Sequence, residues 1–133
     1  MSNDSRIPMI VILGLVALLT SGCSQDQTKQ ALVQADLACG VYPEGSPPDL
    51  KETIEEQLEA TNRYEAAYAQ SAVYAAKAAK LDPRWIELYT VADQIREKYN
   101  AHRYDLNNGI QSDPYPASTE RGKFNQICRL VNA

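Results

Sequence analysis

The sequence predicts an all-α fold, a small four-helix bundle with one long helix rich in alanine and tyrosine. Apolar residues recur at steps of three and four along most of the chain, which is the spacing of one face of an α-helix. Segments that alternate apolar and polar residues, as strands do, are nearly absent. Capping residues, prolines and glycines divide the pattern into four predicted helices, at about residues 24–39, 49–81, 83–106 and 118–131.

The first and last predicted helices are short, and each carries one cysteine. The first has Leu32, Ala35 and Cys39 on one face, and Gly40 follows it as a C-cap. The last helix has these residues on one face: Phe124, Ile127, Cys128 and Val131. Both cysteines are therefore expected to point into the bundle.

The second predicted helix is the longest and begins at about Asp49, because Ser46 to Asp49 and Asp49 to Glu52 both have the spacing of a capping box. Its first turns carry one apolar stripe: Leu50, Ile54, Leu58 and Thr61. Nine alanines occur from Ala60 to Ala79, and small side chains let a neighbouring helix approach closely. Because this helix is about twice as long as the first, we expect it to kink, to project or to pair with another molecule.

The third predicted helix starts with Asp82 as N-cap and Pro83 at its first position, where the missing N–H costs little. Its residues at three- and four-residue steps form a stripe that should face the core: Trp85, Leu88, Ala92, Ile95, Tyr99, His102 and Leu106. Asn108 and Gly109 end the pattern. Short loops would make successive helices antiparallel neighbours in an up-down bundle, so that the first and last helices meet.

The beginning of the chain has the layout of a secretory signal over residues 1–22: a polar start, an apolar run at residues 7–19 and small residues before Cys23. The apolar run is shorter than the roughly 20 residues that a helix needs to cross a bilayer. Removal of these 22 residues from 133 leaves 111 residues, from Cys23 to Ala133, which is enough for one domain.

The segment Leu19-Thr20-Ser21-Gly22-Cys23 resembles the lipobox of bacterial lipoproteins. This resemblance implies that Cys23 becomes the first residue of the mature chain and carries acyl chains such as palmitate, which hold the protein on a membrane of the cell envelope. Ser24 after the cysteine resembles the outer-membrane sorting pattern of Gram-negative lipoproteins. In another envelope the protein would lie on the outer face of the cell membrane. The alternative is an ordinary signal peptide in which Cys23 is incidental.

With Cys23 used by the anchor, Cys39 and Cys128 remain as a pair in an oxidising compartment, where we expect them to form a disulfide. The bridge would contribute on the order of 4 kcal/mol, because it closes nearly the whole mature domain. The alternative is two free thiols. Residues 23–133 keep 12 basic and 16 acidic residues, a net charge of −4, which gives no support for nucleic-acid binding.

No motif predicts a catalytic residue, a metal site or a cofactor. His102 is the only histidine and has no second ligand at metal-binding spacing, so we interpret it as a residue at the edge of the bundle. One flank of the second helix is acidic: Glu52, Glu55, Glu56 and Glu59. We interpret this flank as a solvated face, with binding of cations or of a basic partner as the alternative.

The chain has eight tyrosines against one phenylalanine and one tryptophan, an excess with two interpretations. The rings could fill the core beside small alanines, or they could form a recognition surface, for which Tyr64, Tyr68 and Tyr74 are the candidates. The leading functional hypothesis is a non-catalytic envelope lipoprotein that binds another envelope protein, similar in build to small lipoproteins, some phage-encoded, that block an envelope receptor. The alternatives are a carrier of a small apolar ligand and a hydrolase or metalloenzyme built on carboxylates.

Overall fold

The computed structural model describes residues 25–51, 53–111 and 113–132. These residues form four α-helices: α1 at residues 25–39, α2 at Ile54–Leu81, α3 at Ile86–Asn107 and α4 at Ser118–Val131. Short 3-10 turns at Pro48–Leu50 and Pro83–Trp85 precede α2 and α3, and the described residues contain no strand. The predicted all-α helical bundle is confirmed. The predicted signal and Cys23 lie outside the described residues.

α2 begins later than predicted, at Ile54, with Thr53 as its N-cap. The Thr53 Oγ1 atom accepts a hydrogen bond from the Glu56 N–H at 3.1 Å. The predicted start at Asp49 was wrong, because Pro48–Leu50 forms a separate 3-10 turn and Lys51 is extended, with φ −98° and ψ 144°. Thr53 and Glu56 themselves have capping-box spacing. The capping motif of this helix is therefore present in the sequence, four residues after the one chosen.

The predicted apolar stripe at the start of α2 is only partly buried. Ile54 is 57% exposed and Leu58 is half-buried, whereas Thr61 is fully buried. Thr61 donates its hydroxyl hydrogen to the Gln57 carbonyl at 2.6 Å, which satisfies the buried oxygen within the helix. The rest of the buried face of α2 consists of two tyrosines and small residues: Ala60, Tyr64, Tyr68, Ser71, Ala72, Ala75 and Ala78.

The predicted core stripe and end of α3 are confirmed, but its predicted start at residue 83 was wrong, because Pro83–Trp85 forms a separate 3-10 turn and the α-helix begins at Ile86. Asp82 Oδ1 accepts a hydrogen bond from the Arg84 N–H at 3.1 Å and so caps the turn that leads into α3. The predicted stripe lies in the core, with Leu106 half-buried and these residues buried: Trp85, Leu88, Ala92, Ile95, Tyr99 and His102. At the other end, Gly109 adopts φ +64° and the Ile110 N–H bonds to the Asp105 carbonyl at 2.9 Å, which is a Schellman closure.

The predicted face of α1 is correct for Ala35 and Cys39, which are buried, and wrong for Leu32, because the helix packs mainly through alanines. Ala31, Ala35 and Ala38 are fully buried, and Ala38 accepts a hydrogen bond from the Ser71 hydroxyl at 2.8 Å through its carbonyl oxygen. Leu32, predicted to face inward, is 43% exposed. The buried face is rotated toward the small side chains because they allow the two helix axes to come close together.

The chain runs back along α2 after α1 ends. Ala38 lies beside Ser71, and further on Gly45 accepts a hydrogen bond from the Tyr64 hydroxyl at 3.0 Å. The partner on α2 thus moves toward the start of that helix as the chain leaves α1. The loop occupies the side of α2 near Tyr64, so α1 extends from Ser71 toward the C-terminal end of α2, antiparallel to it. The half-length α1 covers the C-terminal half of the 28-residue α2, and the loop at residues 41–48 covers part of the rest.

The predicted disulfide between Cys39 and Cys128 is present, with an S–S distance of 2.11 Å and Cα atoms 5.6 Å apart. It joins the last turn of α1 to α4. Phe124, one turn earlier on α4, packs edge-to-face on Tyr68 with ring centroids 5.3 Å apart. Of the other residues predicted on this face, Ile127 and Val131 are partly buried. The first and last helices are therefore neighbours, as predicted.

Candidate functional site

The tyrosines predicted as binding residues divide between core and surface. Tyr64 and Tyr68 are buried, and their rings pack against Tyr99 with centroid distances of 5.6 Å and 6.1 Å. These two rings fill the core, which was one of the two interpretations of the tyrosine excess, and they present no surface to a partner. Tyr74 is half-buried and lies at the edge of a groove between α1 and α2.

A largely buried ion pair lies beside these rings. Arg121 of α4 donates from Nη2 to Asp49 Oδ2 at 3.1 Å, and the two side chains are only 17% and 10% exposed. The pair ties α4 to the turn at Pro48–Leu50. Burial raises the pKa of Tyr68 to about 12, and the Arg121 charge opposes that rise. The tyrosine hydroxyls beside this pair are therefore neutral over the physiological range of pH.

His102 lies under the surface at the same end of the molecule. Burial lowers the pKa of its imidazole, while the carboxylates of Asp105, Asp113 and Asp49 act in the opposite direction. The side chain lines two clefts, one of about 260 Å³ that it shares with Asp49 and one of about 230 Å³ that it shares with Lys98. A neutral imidazole supplies one hydrogen-bond donor and one acceptor there.

The part of the chain that the structure describes contains no group of three or more His, Cys, Asp or Glu side chains able to hold a metal ion. Polar side chains of His102, Asp49, Asp105 and Asp113 line the clefts at this end. We call this end of the bundle the His102 end. It comprises residues 98–107 of α3, the loop at residues 113–117 and the turn at Pro48–Leu50.

Two exposed tyrosines flank the clefts of the His102 end. Tyr104 is 62% exposed and Tyr115 is 56% exposed. Tyr104 borders a groove of about 540 Å³ together with Asn100 and Arg103. The Tyr115 N–H donates to Asp113 Oδ1 at 2.9 Å, which holds this part of the loop in a turn. The exposed rings, a guanidinium and an amide therefore lie at one end of the bundle.

Hydrogen bonds hold the side chain of Arg103, which lines the groove at the His102 end, in one position. Arg103 donates to Glu65 of α2 and also to Asn100 Oδ1 at 2.5 Å, so its side chain bridges two helices. The guanidinium is one-third exposed, which leaves part of it open to solvent. A planar cation held in this way is suited to a carbonyl or carboxylate on a partner.

Sequence reasoning missed Tyr104 and Tyr115 as candidates, although both carry a signal. Tyr104 falls between the core positions His102 and Leu106 of α3, so the helical period itself assigns it to the opposite face. Tyr115 stands between two prolines, in a loop where a large apolar ring has no helix to pack into.

A second concave surface is the groove of about 580 Å³ between α1 and α2. Its walls are mainly apolar or small, and they include Leu37, Val41, Ala66, Ala67 and Tyr74. The predicted acidic flank of α2 forms no such site. Glu55, Glu56 and Glu59 are exposed, Glu59 pairs with Arg63 at 3.0 Å, and Glu52 lies outside the described residues.

The fold and these surfaces define a small disulfide-bonded helical bundle with surface clefts at one end. No family model matches the chain, and no curated protein or solved structure matches it either. Within the described residues, no helix combines the length and the apolar character needed to cross a membrane.

Proposed function

We propose that this protein is an envelope lipoprotein, anchored through a lipid on Cys23, whose bundle binds another envelope protein through the His102 end and has no catalytic role. The observation that carries the proposal is the pair of exposed rings, Tyr104 and Tyr115, beside polar clefts at one end of a rigid bundle. Tyrosine supplies a large apolar area with a hydrogen-bonding tip, and it is enriched among the residues that dominate binding energy.

The position of this end fits a protein that acts on a membrane-bound partner. Cys23 precedes the first described residue, Gln25, by two positions, and the start of α1 lies beside the C-terminal turns of α2. The His102 end lies beside the first turns of α2, as the Gln57 and His102 lining of one cleft indicates. Most of the 28-residue helix, roughly 35 Å, therefore separates the proposed anchor from the proposed binding surface.

Photo-crosslinking in intact cells tests the binding surface. A photoreactive phenylalanine analogue at position 104 or 115 is expected to capture one discrete envelope protein. The matched control is the same analogue at Tyr89, a partly exposed tyrosine near the other end of α3, which should capture far less of it. Equal capture from positions 89, 104 and 115, or capture of nothing from 104 and 115, would contradict a binding site at the His102 end.

Mass spectrometry of the mature protein tests the anchor separately. We expect the N-terminal peptide to begin at Cys23 and to carry acyl chains, and we expect Cys23→Ala to leave the chain unlipidated. An unmodified N-terminus downstream of residue 23 would contradict the lipoprotein assignment. It would leave the crosslinking result as a separate observation about the bundle.

A second candidate function is carriage of a small apolar ligand in the groove between α1 and α2. The carrier hypothesis required a site lined by alanines and tyrosines, and Ala66, Ala67 and Tyr74 line this groove. Native mass spectrometry of the protein purified from its own envelope tests it. Co-purification of a small apolar molecule that is lost in Ala67→Arg would support a carrier, and an unliganded mass would count against one.

A further inference from the structure

Charge is distributed unevenly along α2. All of its acidic residues lie in the first turns, and they are Glu55, Glu56, Glu59 and Glu65. The last turns, from residue 66 to residue 81, contain only Lys77 and Lys80 as charged residues. The C-terminal half of this helix is therefore cationic, and it is the half that α1 covers.

The register of α1 brings another lysine to the same level. Because Ala38 lies beside Ser71 and the two antiparallel helices rise equally per residue, Lys29 is level with Lys80. Exposed aliphatic side chains accompany these cations. Leu37 and Tyr74 line one groove, and Lys77 lies over the Tyr74 ring, so these flanks of the two helices adjoin. We call this surface the lysine face, and its exposed residues are Lys29, Val33 and Leu37 of α1 with Val73, Lys77 and Lys80 of α2.

The lysines of this face have no carboxylate partner among the described residues. Outside this face, Lys51 and Arg129 form no ion pair among the described residues, but the other seven described cations do: Arg63, Arg84, Arg96, Lys98, Arg103, Arg121 and Lys123. Lys77 instead lies 5.8 Å from the ring centre of Tyr74. Asp26 and Asp36 are exposed on α1 near the face and leave it with a small positive charge.

We propose that the lysine face lies against the headgroups of anionic phospholipids and so holds the bundle in one orientation on its membrane. This inference rests on the proposed anchor at Cys23, six residues before Lys29. The tether is short, at most roughly 3.5 Å per residue, so these lysines are confined to the headgroup region. Unpaired lysines next to exposed aliphatic residues are the combination that an anionic lipid surface attracts.

The orientation also gives the proposed binding surface a defined direction. The acidic first turns of α2 lie at the opposite end from the lysines, where an anionic surface would repel them. Attraction of the lysines and repulsion of the acidic first turns of α2 both turn the His102 end away from the membrane.

Residue-resolved amine labelling of the full lipidated chain on vesicles tests this orientation. One vesicle contains equal parts of phosphatidylglycerol and phosphatidylethanolamine, and the other contains phosphatidylcholine alone. A membrane-impermeant reagent labels the lysines, and mass spectrometry reads each site. On the anionic vesicle we expect labelling of Lys77 and Lys80, relative to Lys51 and Lys98 in the same sample, to fall about fivefold. High salt should abolish the difference.

Substitution of lysines by glutamine tests whether the protection depends on the positive charge of the lysine face. Lys77→Gln with Lys80→Gln should remove the protection that Lys29 gains on anionic vesicles, and Lys51→Gln, a change at the other end of the bundle, should leave it intact. Equal labelling on the two vesicles, with the chain bound to both, would contradict the contact between the lysine face and anionic lipids. It would not contradict the proposed lipid anchor on Cys23. Failure of the chain to bind either vesicle would overturn the anchor and the orientation together.

Discussion

The rings of Tyr64 and Tyr99 are in contact, but only one of the two hydroxyl groups forms a hydrogen bond within the described residues. Tyr64 donates to the Gly45 carbonyl at 3.0 Å, which holds the loop at residues 41–48 on α2. The Tyr99 hydroxyl is buried and has no hydrogen-bond partner among the described residues. Burial raises the pKa of both phenols, so both hydroxyls stay protonated in the folded protein.

Removal of each hydroxyl should therefore have a different effect on stability. We expect Tyr64→Phe to lower the free energy of unfolding by about 1 kcal/mol, because a made hydrogen bond is lost. Tyr99→Phe should cause no loss, because it removes a buried polar atom that makes no bond. Urea unfolding of the two variants beside the unchanged protein measures both values. A loss for Tyr99→Phe as large as that for Tyr64→Phe would show that this phenol is satisfied in solution.

His102 should make stability depend on pH. Burial lowers the pKa of the folded imidazole below its ordinary value of 6.5. At a pH between the folded and unfolded pKa values the unfolded chain binds more protons, so acid favours unfolding. The stabilisation is complete above about 6.5 and is lost as the pH falls through that value toward the folded pKa.

His102→Gln is the variant that isolates this effect, since the chain has no other histidine. The unchanged protein should lose stability between about pH 7 and pH 5, and the variant should lose less over the same interval. Urea unfolding at several pH values measures both slopes. Parallel slopes would mean that acidic residues alone produce the pH dependence.

At the scale of the elements, the sequence predicted the existence of each helix better than its boundaries. The α3 stripe has large residues at regular steps, and so its buried face was predicted correctly. On α1, Ala35 and Cys39 were assigned correctly, but Leu32 was placed on the buried face because it is more hydrophobic than Ala31, whereas close packing on α2 selects the smaller side chain. Hydrophobicity alone cannot distinguish these faces when two helices meet through alanines.

The start of α2 was misassigned because three successive segments, at residues 46–49, 49–52 and 53–56, have capping-box spacing. The prolines before Asp49 distinguish the correct segment, because they favour a separate 3-10 turn at Pro48–Leu50 instead of the first turn of α2. We expect Thr53→Ala to lower the free energy of unfolding by about 1 kcal/mol, because the Glu56 N–H loses its acceptor. Ser46→Ala, at the rejected position, should change it by less than about 0.5 kcal/mol. Chemical denaturation distinguishes the positions, and equal losses would contradict Thr53 as the cap.

At the scale of the whole molecule, the fold class followed from periodicity that is local in sequence, and the disulfide followed from the number of cysteines left in a chain expected to be exported. The His102 end did not, because it is assembled from the turn at Pro48–Leu50, the end of α3 and the loop at residues 113–117. Distant segments meet there only after the helices have packed. Tyr104 and Tyr115 could be recognised as exposed one by one, but their position opposite the start of α1 required the three-dimensional arrangement.

The disulfide is important for α1 because the other contacts of this helix with the bundle are weak. Each buried alanine of α1 buries only a methyl group, and the Ser71 hydroxyl adds a single hydrogen bond to Ala38. Cys39 and Cys128 are 89 positions apart, so the bridge restricts nearly all of the unfolded domain. It also connects the segment that leads from Cys23 directly to α4.

Loss of the bridge should therefore affect α1 before the other helices. We expect Cys39→Ala with Cys128→Ala to lower the free energy of unfolding by on the order of 4 kcal/mol. Hydrogen exchange should show the amides of α1 unprotected while those of α3, whose Leu88, Ile95 and Tyr99 are fully buried, still exchange slowly. Equal loss of protection in α1 and α3 would mean that α1 is an integral part of one cooperative unit. Selective loss would mean that the disulfide is what joins the proposed anchor to the bundle, since the helix nearest Cys23 is then held mainly by that bond.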